Sequence, residues 1–499
     1  MSSSDDLFRV IKSLSPSEKK FFRIQASVRK GEKKYLLLFD AIDRQKSYNE
    51  QAIKQKFPSE AFCRNMRVYK KQLYCLIMQH IYMADHDSSP ENTIRQYIHW
   101  AEIHDNRALY TQAQMWMAKA KDLAYKYEKF EYLVAIIKSE IKTRLRKRLL
   151  KEVPPLLEEK EKVQLIGENI REYRKAEFKL LTLVNTLDHS GHELVSLERI
   201  MKQDLLQSEK TPLSVTARLS FLNIWHLYYF FKKKYEDAYA VNARILALME
   251  ANPYKEPHVY MEALNNFCIS QITLGKSDEI PRTLEKMRAS SSGTFDCRVF
   301  IFNNTLRHYN MIGEFYKSVT EIAKNPDICE HIRIHSPLTM EYMYRHITAG
   351  YFGAGMYREA FQTINVLISN RKILSGNDSY VFALLFRLVV YWELHPDDWN
   401  FVESNTGSIK RQKVSVSFAA VRDLLVDFFC FSLYGEIMHI KQAEMFHDMK
   451  RKLHLFSRQH LSGSIFDCFD FVSWMESKLE RRPFREIVIE KNKKQRLPG

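Results

Sequence analysis

Cys329-Glu-His331-Ile-Arg-Ile-His335 sets two imidazoles one helical turn apart beside a thiol, the donor types and spacing of a metal-binding helix face. No fourth ligand of matching spacing accompanies them, so no metal is expected. Leu274-Gly275-Lys276-Ser277 ends like a phosphate-cradling loop, but Ser270 stands where that loop needs its first glycine. Gly350, Gly353 and Gly355 lack the preceding strand of a dinucleotide fingerprint. There is no HExxH, and the scattered serines, cysteines, histidines and acids define no nucleophile–base pair. The expectation is a protein without catalytic site or cofactor; an enzyme with an unrecognised site is the alternative.

Composition says what must position any site. Across 499 residues, 45% hydrophobic and 27% charged, there are only 14 Gly and 14 Pro. So few breakers favour long helices joined by short turns over sheets. Seven cysteines without a CxxC point to reduced thiols and a cytoplasmic protein. The start, Met1 to Asp6, lacks the basic and apolar regions of a signal peptide. The most apolar stretch, Tyr380 to Leu394, is too short to span a bilayer and contains Arg387, so a core helix and no membrane insertion are expected. Net charge is +16, with 17 Lys/Arg against 10 Asp/Glu in residues 1–90 and six further cations between Lys142 and Lys151. A basic stretch also runs from Arg481 to Arg496. Such clusters attract nucleic acid, anionic lipid or an acidic partner, although a solvated helix face is the simpler reading.

Self-alignment reveals a repeat. In Tyr351-Phe-Gly-Ala-Gly-Met-Tyr-Arg-Glu-Ala360, a helix ends at Gly355, an aromatic follows at Tyr357, and Ala360 lets a second helix approach closely. Weaker copies have Gly275 with Ile280, Gly313 with Phe315 and Ser318, Lys233 with Tyr235 and Ala238, and Ala108 with Tyr110 and Ala113. Adding Val153, Val195 and Val402 gives the series 113, 153, 195, 238, 280, 318, 360, 402, with intervals of 38 to 43. The Gly-x-aromatic-x-x-Ala turn and the first-helix aromatics (Tyr344 and Tyr351, Trp225 and Tyr229, Tyr97 and Trp100) resemble tetratricopeptide repeats. These units are longer than that family's usual length of about 34 residues. The resemblance implies an all-α, right-handed α-α superhelix over 91–410 whose first helices line a peptide-holding groove.

Counting 15 residues back from each small residue gives the groove positions Asn223, Asn265, Asn303 and Arg345, followed by Asn266, Asn304 and His346. Carboxamides can donate to and accept from an extended peptide. Arg307, one turn beyond Asn303, and Arg345 could hold an acidic side chain or a C-terminal carboxylate. A structural role for these amides between helices is the competing reading.

Residues 1–90 do not repeat. Ser15-Pro16-Ser17-Glu18 and Ser47-Tyr-Asn-Glu50 have the form of capping boxes. A short helix over 49–57, a turn at Pro58-Ser59 and a long helix over 60–82 outline a helix-turn-helix DNA reader, with Arg64, Arg67 and Lys71 opposite the apolar face of Phe62, Met66, Tyr69, Leu73 and Ile77. Helices over 411–482, carrying Ile437, Ile440, Met445, Met449 and Leu453, are expected to cap the array. Residues 483–499 are expected to be a basic flexible tail. The leading functional expectation is a scaffold or sensor that binds a protein or peptide segment, an acidic one being among the candidates. The alternative is a transcription regulator with N-terminal DNA-binding helices and repeats that receive a signal.

Overall fold

The computed structural model describes residues 6–28, 33–84, 89–186, 191–252, 256–291, 294–335, 337–371, 374, 377–395, 398–433, 447–448, 451 and 468–496. The described residues form helices that pack on their sequence neighbours, an all-α helical solenoid, with no strand among them. No helix among them is long and apolar enough to cross a membrane. The chain divides into two compact units, Met1–Gly167 and Glu168–Gly499. That division falls inside the stretch 91–410 expected as one array.

The first unit opens with a helical bundle: α1 (Asp6–Ser13), α2 (Pro16–Val28), α3 (Lys33–Asp43), α4 (Glu50–Lys56), α5 (Ala61–Arg64) and α6 (Met66–Ala84). Leu7, Ile11, Phe22, Phe39, Phe62, Leu73 and Ile77 form its core. The Ser15 capping box is complete: Glu18 N–H donates to Ser15 Oγ (3.2 Å) and Ser15 N–H to Glu18 Oε2 (2.6 Å). The second box differs from expectation, since Asn49 Oδ1, and not Ser47, caps α4 (3.0 Å from Ala52 N). Glu50 is instead drawn to Lys70 (2.8 Å) and Lys54 (2.9 Å). The helix expected over 60–82 is broken at Asn65, whose φ of −129° ends α5 before α6 begins.

After the bundle come α7 (Pro90–Asn106), α8 (Tyr110–Lys126), α9 (Phe130–Arg146) and the start of α10 (Val153–Thr186). Each of the first three ends in the same backbone turn, with a left-handed residue at Ala108 (φ 59°), Glu128 (52°) and Arg148 (55°). Two bonds close each turn. At the first, Leu109 N–H donates to His104 C=O (2.9 Å) and Ala108 N–H to Asp105 C=O (3.0 Å), a Schellman arrangement.

The second unit holds the rest of α10, α11 (Gly191–Met201) and then the pairs α12 (Val215–Phe231) with α13 (Tyr235–Ala251), α14 (Pro257–Thr273) with α15 (Ile280–Ser290), and α16 (Phe295–Met311) with α17 (Phe315–Lys324). There follow α18 (Pro326–His335), α19 (Pro337–Gly353), α20 (Tyr357–Ser369), α21 (Asn377–Leu394), α22 (Trp399–Lys410) and α23 (Val416–Leu433). The same turn closes the pairs at Lys233 (φ 61°), Gly275 (69°), Gly313 (76°) and Gly355 (77°). Five residues after each, Ala238, Ile280, Ser318 and Ala360 are fully buried, as close helix approach requires. Tyr380–Leu394 lies in the core helix α21, where Arg387 donates to Asn405 Oδ1 (2.6 Å).

The C-terminal segment corrects an expectation. Residues 484–496 are not a flexible tail but helix α25 (Phe484–Arg496), which follows α24 (Phe471–Leu479). Ile487 and Val488 are buried, and Phe484 stacks on Phe315 and Phe469. Three of the basic residues there are paired: Arg482 with Glu490 (2.9 Å), Lys491 with Glu476 (2.6 Å) and Lys494 with Glu490 (2.7 Å). Trp474, fully buried, donates to Glu393 Oε1 (2.6 Å). Of the expected cap, α23 and α24 are described; Ile437, Ile440, Met445, Met449 and Leu453 lie outside the described residues.

Candidate binding site

Helices α12, α14, α16 and α19 present the predicted polar stripe, and its members meet different fates. Asn223 is half-buried and, with Ser220, hydrogen-bonds Glu177 on α10. Burial pushes the Glu177 carboxyl up, and the charge of Glu262 adds to this. The bonds from Ser220 and Asn223 and the charge of Arg174 pull the other way. Asn265 is bonded across the interface, accepting from Asn304 Nδ2 at 2.7 Å. Asn304 is fully buried and also donates to Phe300 C=O (3.0 Å). The Asn266 carbonyl accepts from Asn242 (3.3 Å) and from Ser270 Oγ (3.0 Å). This part of the stripe ties helices together.

Arg345 does not line an open groove. It is 0% exposed, ion-paired with Glu341 one turn earlier on α19, and lies over the Phe382 ring at 5.1 Å. Its Nη2 also donates to Ser379 C=O at 3.4 Å. The expectation that Arg345 receives an acidic partner is therefore corrected: Glu341 already occupies that role, and α21 covers it. Glu341 stands four residues before Arg345, the spacing of a favourable helical ion pair. That signal was readable in the sequence.

Asn303 and Arg307 behave otherwise. They lie one turn apart on α16, and both are half-buried. Asn303 Oδ1 and Arg307 Nε are shielded from solvent and have no hydrogen-bond partner among the described residues; Asn304 Oδ1 and Arg345 Nε share that state, but those two side chains are held by their other atoms. The Arg307 charge acts on Tyr342, which is 42% exposed, and on His346. Complete burial, with Arg307 and Arg345 facing it, holds His346 far below the usual imidazole range. An unmade bond at a shielded polar atom costs about 1–3 kcal/mol. Two such atoms, a donor and an acceptor one turn apart, match a ligand bearing a carboxylate and an N–H.

Two features were not foreseen: the Glu177 contact with Asn223, and a contact of Cys468 Sγ with His346 Nε2 at 3.6 Å. Neither joins sequence neighbours, so no spacing signalled them. Cys468 and His346 are both buried, which leaves a substrate no approach to the thiol. In the metal-like motif Cys329 is half-buried, and the side chains of His331 and His335 lie outside the described residues. Arg64, Arg67 and Lys71 lie on α5 and α6, all exposed and without ion pairs among the described residues. No protein-family model matches this chain, and no curated protein matches it.

Proposed function

We propose that the protein is a non-catalytic binding module that captures an acidic peptide segment of a partner protein on the α14–α16 face. Arg307 takes a carboxylate of the peptide and Asn303 Oδ1 accepts a peptide N–H. Asn265, held by Asn304, borders the site. The observation that carries this reading is the pair of shielded, unpartnered atoms, Asn303 Oδ1 and Arg307 Nε. Charge-assisted bonds from an arginine are among the stronger polar contacts available for such capture. The resemblance to tetratricopeptide repeats supports the same kind of partner, and seven free cysteines support a cytoplasmic setting.

The test is fluorescence anisotropy of labelled Glu-rich peptides with the full-length chain. Binding is expected to weaken about tenfold or more in Arg307→Gln, in line with the loss of one charge-assisted contact. A smaller loss is expected in Asn303→Ala, and circular dichroism should be unchanged in both. Equal binding by wild type and Arg307→Gln would refute the reading.

A second reading rests on Arg64, Arg67 and Lys71, which are exposed and without ion pairs among the described residues: the bundle of α1–α6 contacts DNA in a transcription regulator. Binding to duplex DNA that falls steeply with salt and is lost in the Arg64→Ala/Arg67→Ala/Lys71→Ala variant would favour it.

A further inference from the structure

One end of the α7–α9 array presents a surface that the peptide site does not use. Helices α7 and α9 run in the same direction, so the turns at Ala108 and Arg148 emerge side by side. Lys147 Nζ lies over the Tyr110 ring at 5.6 Å, and Arg146 pairs with Asp105 at 3.4 Å. All residues of 106–112 and of 145–152 are exposed, so the two tips are open to solvent together. Their apolar side chains are large and solvated: Leu109, Tyr110, Leu145, Leu149 and Leu150, the last 63% exposed.

Charge surrounds them. Residues 105–112 and 142–152 hold seven Lys/Arg and two Asp/Glu. Both acids are already paired, Asp105 with Arg146 and Glu152 with Arg144. Arg107, Arg148 and Lys151 are exposed and have no carboxylate partner among the described residues. The turn at Glu128, with the same backbone, shows that this is not a by-product of the geometry. There the residue after the left-handed position is Lys129, paired with Glu91, and Phe130 is half-buried.

We propose that this end of the first unit docks onto an anionic lipid bilayer, with the leucines and Tyr110 entering the headgroup boundary and the cations meeting lipid phosphates. Apolar residues ringed by Lys and Arg have the two components of interfacial binding, buried apolar area and attraction to anionic lipid. A convex double tip suits a soft, flat surface, whereas a peptide needs a concave seat. Four leucines among the five apolar groups weigh against nucleic acid, which uses aromatic stacking platforms. No spanning helix is involved.

Co-sedimentation of the full-length chain with vesicles tests this. Binding is expected to vesicles of phosphatidylcholine mixed with phosphatidylserine, and not to phosphatidylcholine alone. Lys147→Glu/Arg148→Glu should weaken it about fivefold or more per cation reversed. Leu149→Asp/Leu150→Asp should weaken it about tenfold or more, with helix content retained. Leu150→Ser, at the most exposed position, serves if that double variant loses helix content. Three results would overturn the proposal: no vesicle binding, equal binding to both compositions, or binding indifferent to these variants. Capture by immobilised polyglutamate without capture by anionic vesicles would overturn it too, by making the surface a site for acidic protein.

Discussion

The two units close their helices with one backbone turn but fill it differently. In the first unit its left-handed residue is Ala108, Glu128 or Arg148; in the second, Lys233 and Arg481 share the role with Gly275, Gly313 and Gly355. A left-handed residue with a side chain bears about 1–2 kcal/mol of strain, yet the Schellman bonds form equally well at both kinds of turn. The turn alone therefore does not demand glycine. What rests on it can: a Cβ on Gly313 would meet Ile489 Cγ1 at 2.5 Å and Ile489 N at 3.2 Å, because α25 packs there and Arg485 donates to the Gly313 carbonyl (3.2 Å). A Cβ on Gly355 would meet nothing within 4 Å. The tips at Ala108 and Arg148 stand exposed, which leaves them side chains to use.

If this contrast is right, Gly313→Ala combines backbone strain with overpacking and should lose about 3–4 kcal/mol in urea unfolding. A loss no greater than that of Gly355→Ala would show that α25 does not constrain the turn.

Acid should separate the units next. Burial holds His226 down to about 4 from 6.5, and His346 is lowered in the same direction. Both stay uncharged when folded, so their contribution is complete above pH 6.5 and is lost as pH falls below it; for His226 the loss runs down to about 4 and amounts to roughly 3 kcal/mol. Glu177 works oppositely, its raised carboxyl favouring the fold below 4.5 and losing that effect as pH rises. In the first unit the bonds from Lys70 and Lys54 hold Glu50 down to about 2, so its contribution persists above 4.5 and fades only toward 2. Segment-resolved hydrogen exchange after equilibration near pH 4.5 should find the second unit opened and the bundle of α1–α6 protected. The reverse order would break the assignment.

Smaller effects sharpen the comparison. Gly355→Ala, with open space around it, should lose only about 1–2 kcal/mol. Lys233→Gly should gain up to about 1 kcal/mol by relieving the left-handed strain. Thermal melts of these two variants, moving in opposite directions, check both.

Much of the fold was legible because the turn has a chemical signature. All five residues read as turn positions, Ala108, Lys233, Gly275, Gly313 and Gly355, have positive φ, and so does Arg148, five residues before the weaker Val153. Glu128 escaped notice because it lacks glycine and halves the interval to 20 residues. Helix α25 escaped because its charges hide Ile487 and Val488, and the surfaces that bury it, such as Phe315, lie far along the chain. In the site the register was legible and the exposure was not. Whether Arg345 meets water depends on α21, far along the chain, whereas its partner Glu341 was in reach of a helix-spacing argument.

The central claim is that Arg307 is kept for a ligand and Arg345 for the fold, and urea unfolding of Arg307→Met beside Arg345→Met tests it most directly. Arg345→Met should lose about 3–5 kcal/mol by removing the cation that faces the buried Glu341 carboxylate. Arg307→Met should stay within about 1 kcal/mol of wild type or exceed it, since it removes a shielded donor that makes no internal bond. A loss of several kcal/mol in Arg307→Met would contradict the claim and return the whole stripe to a structural role.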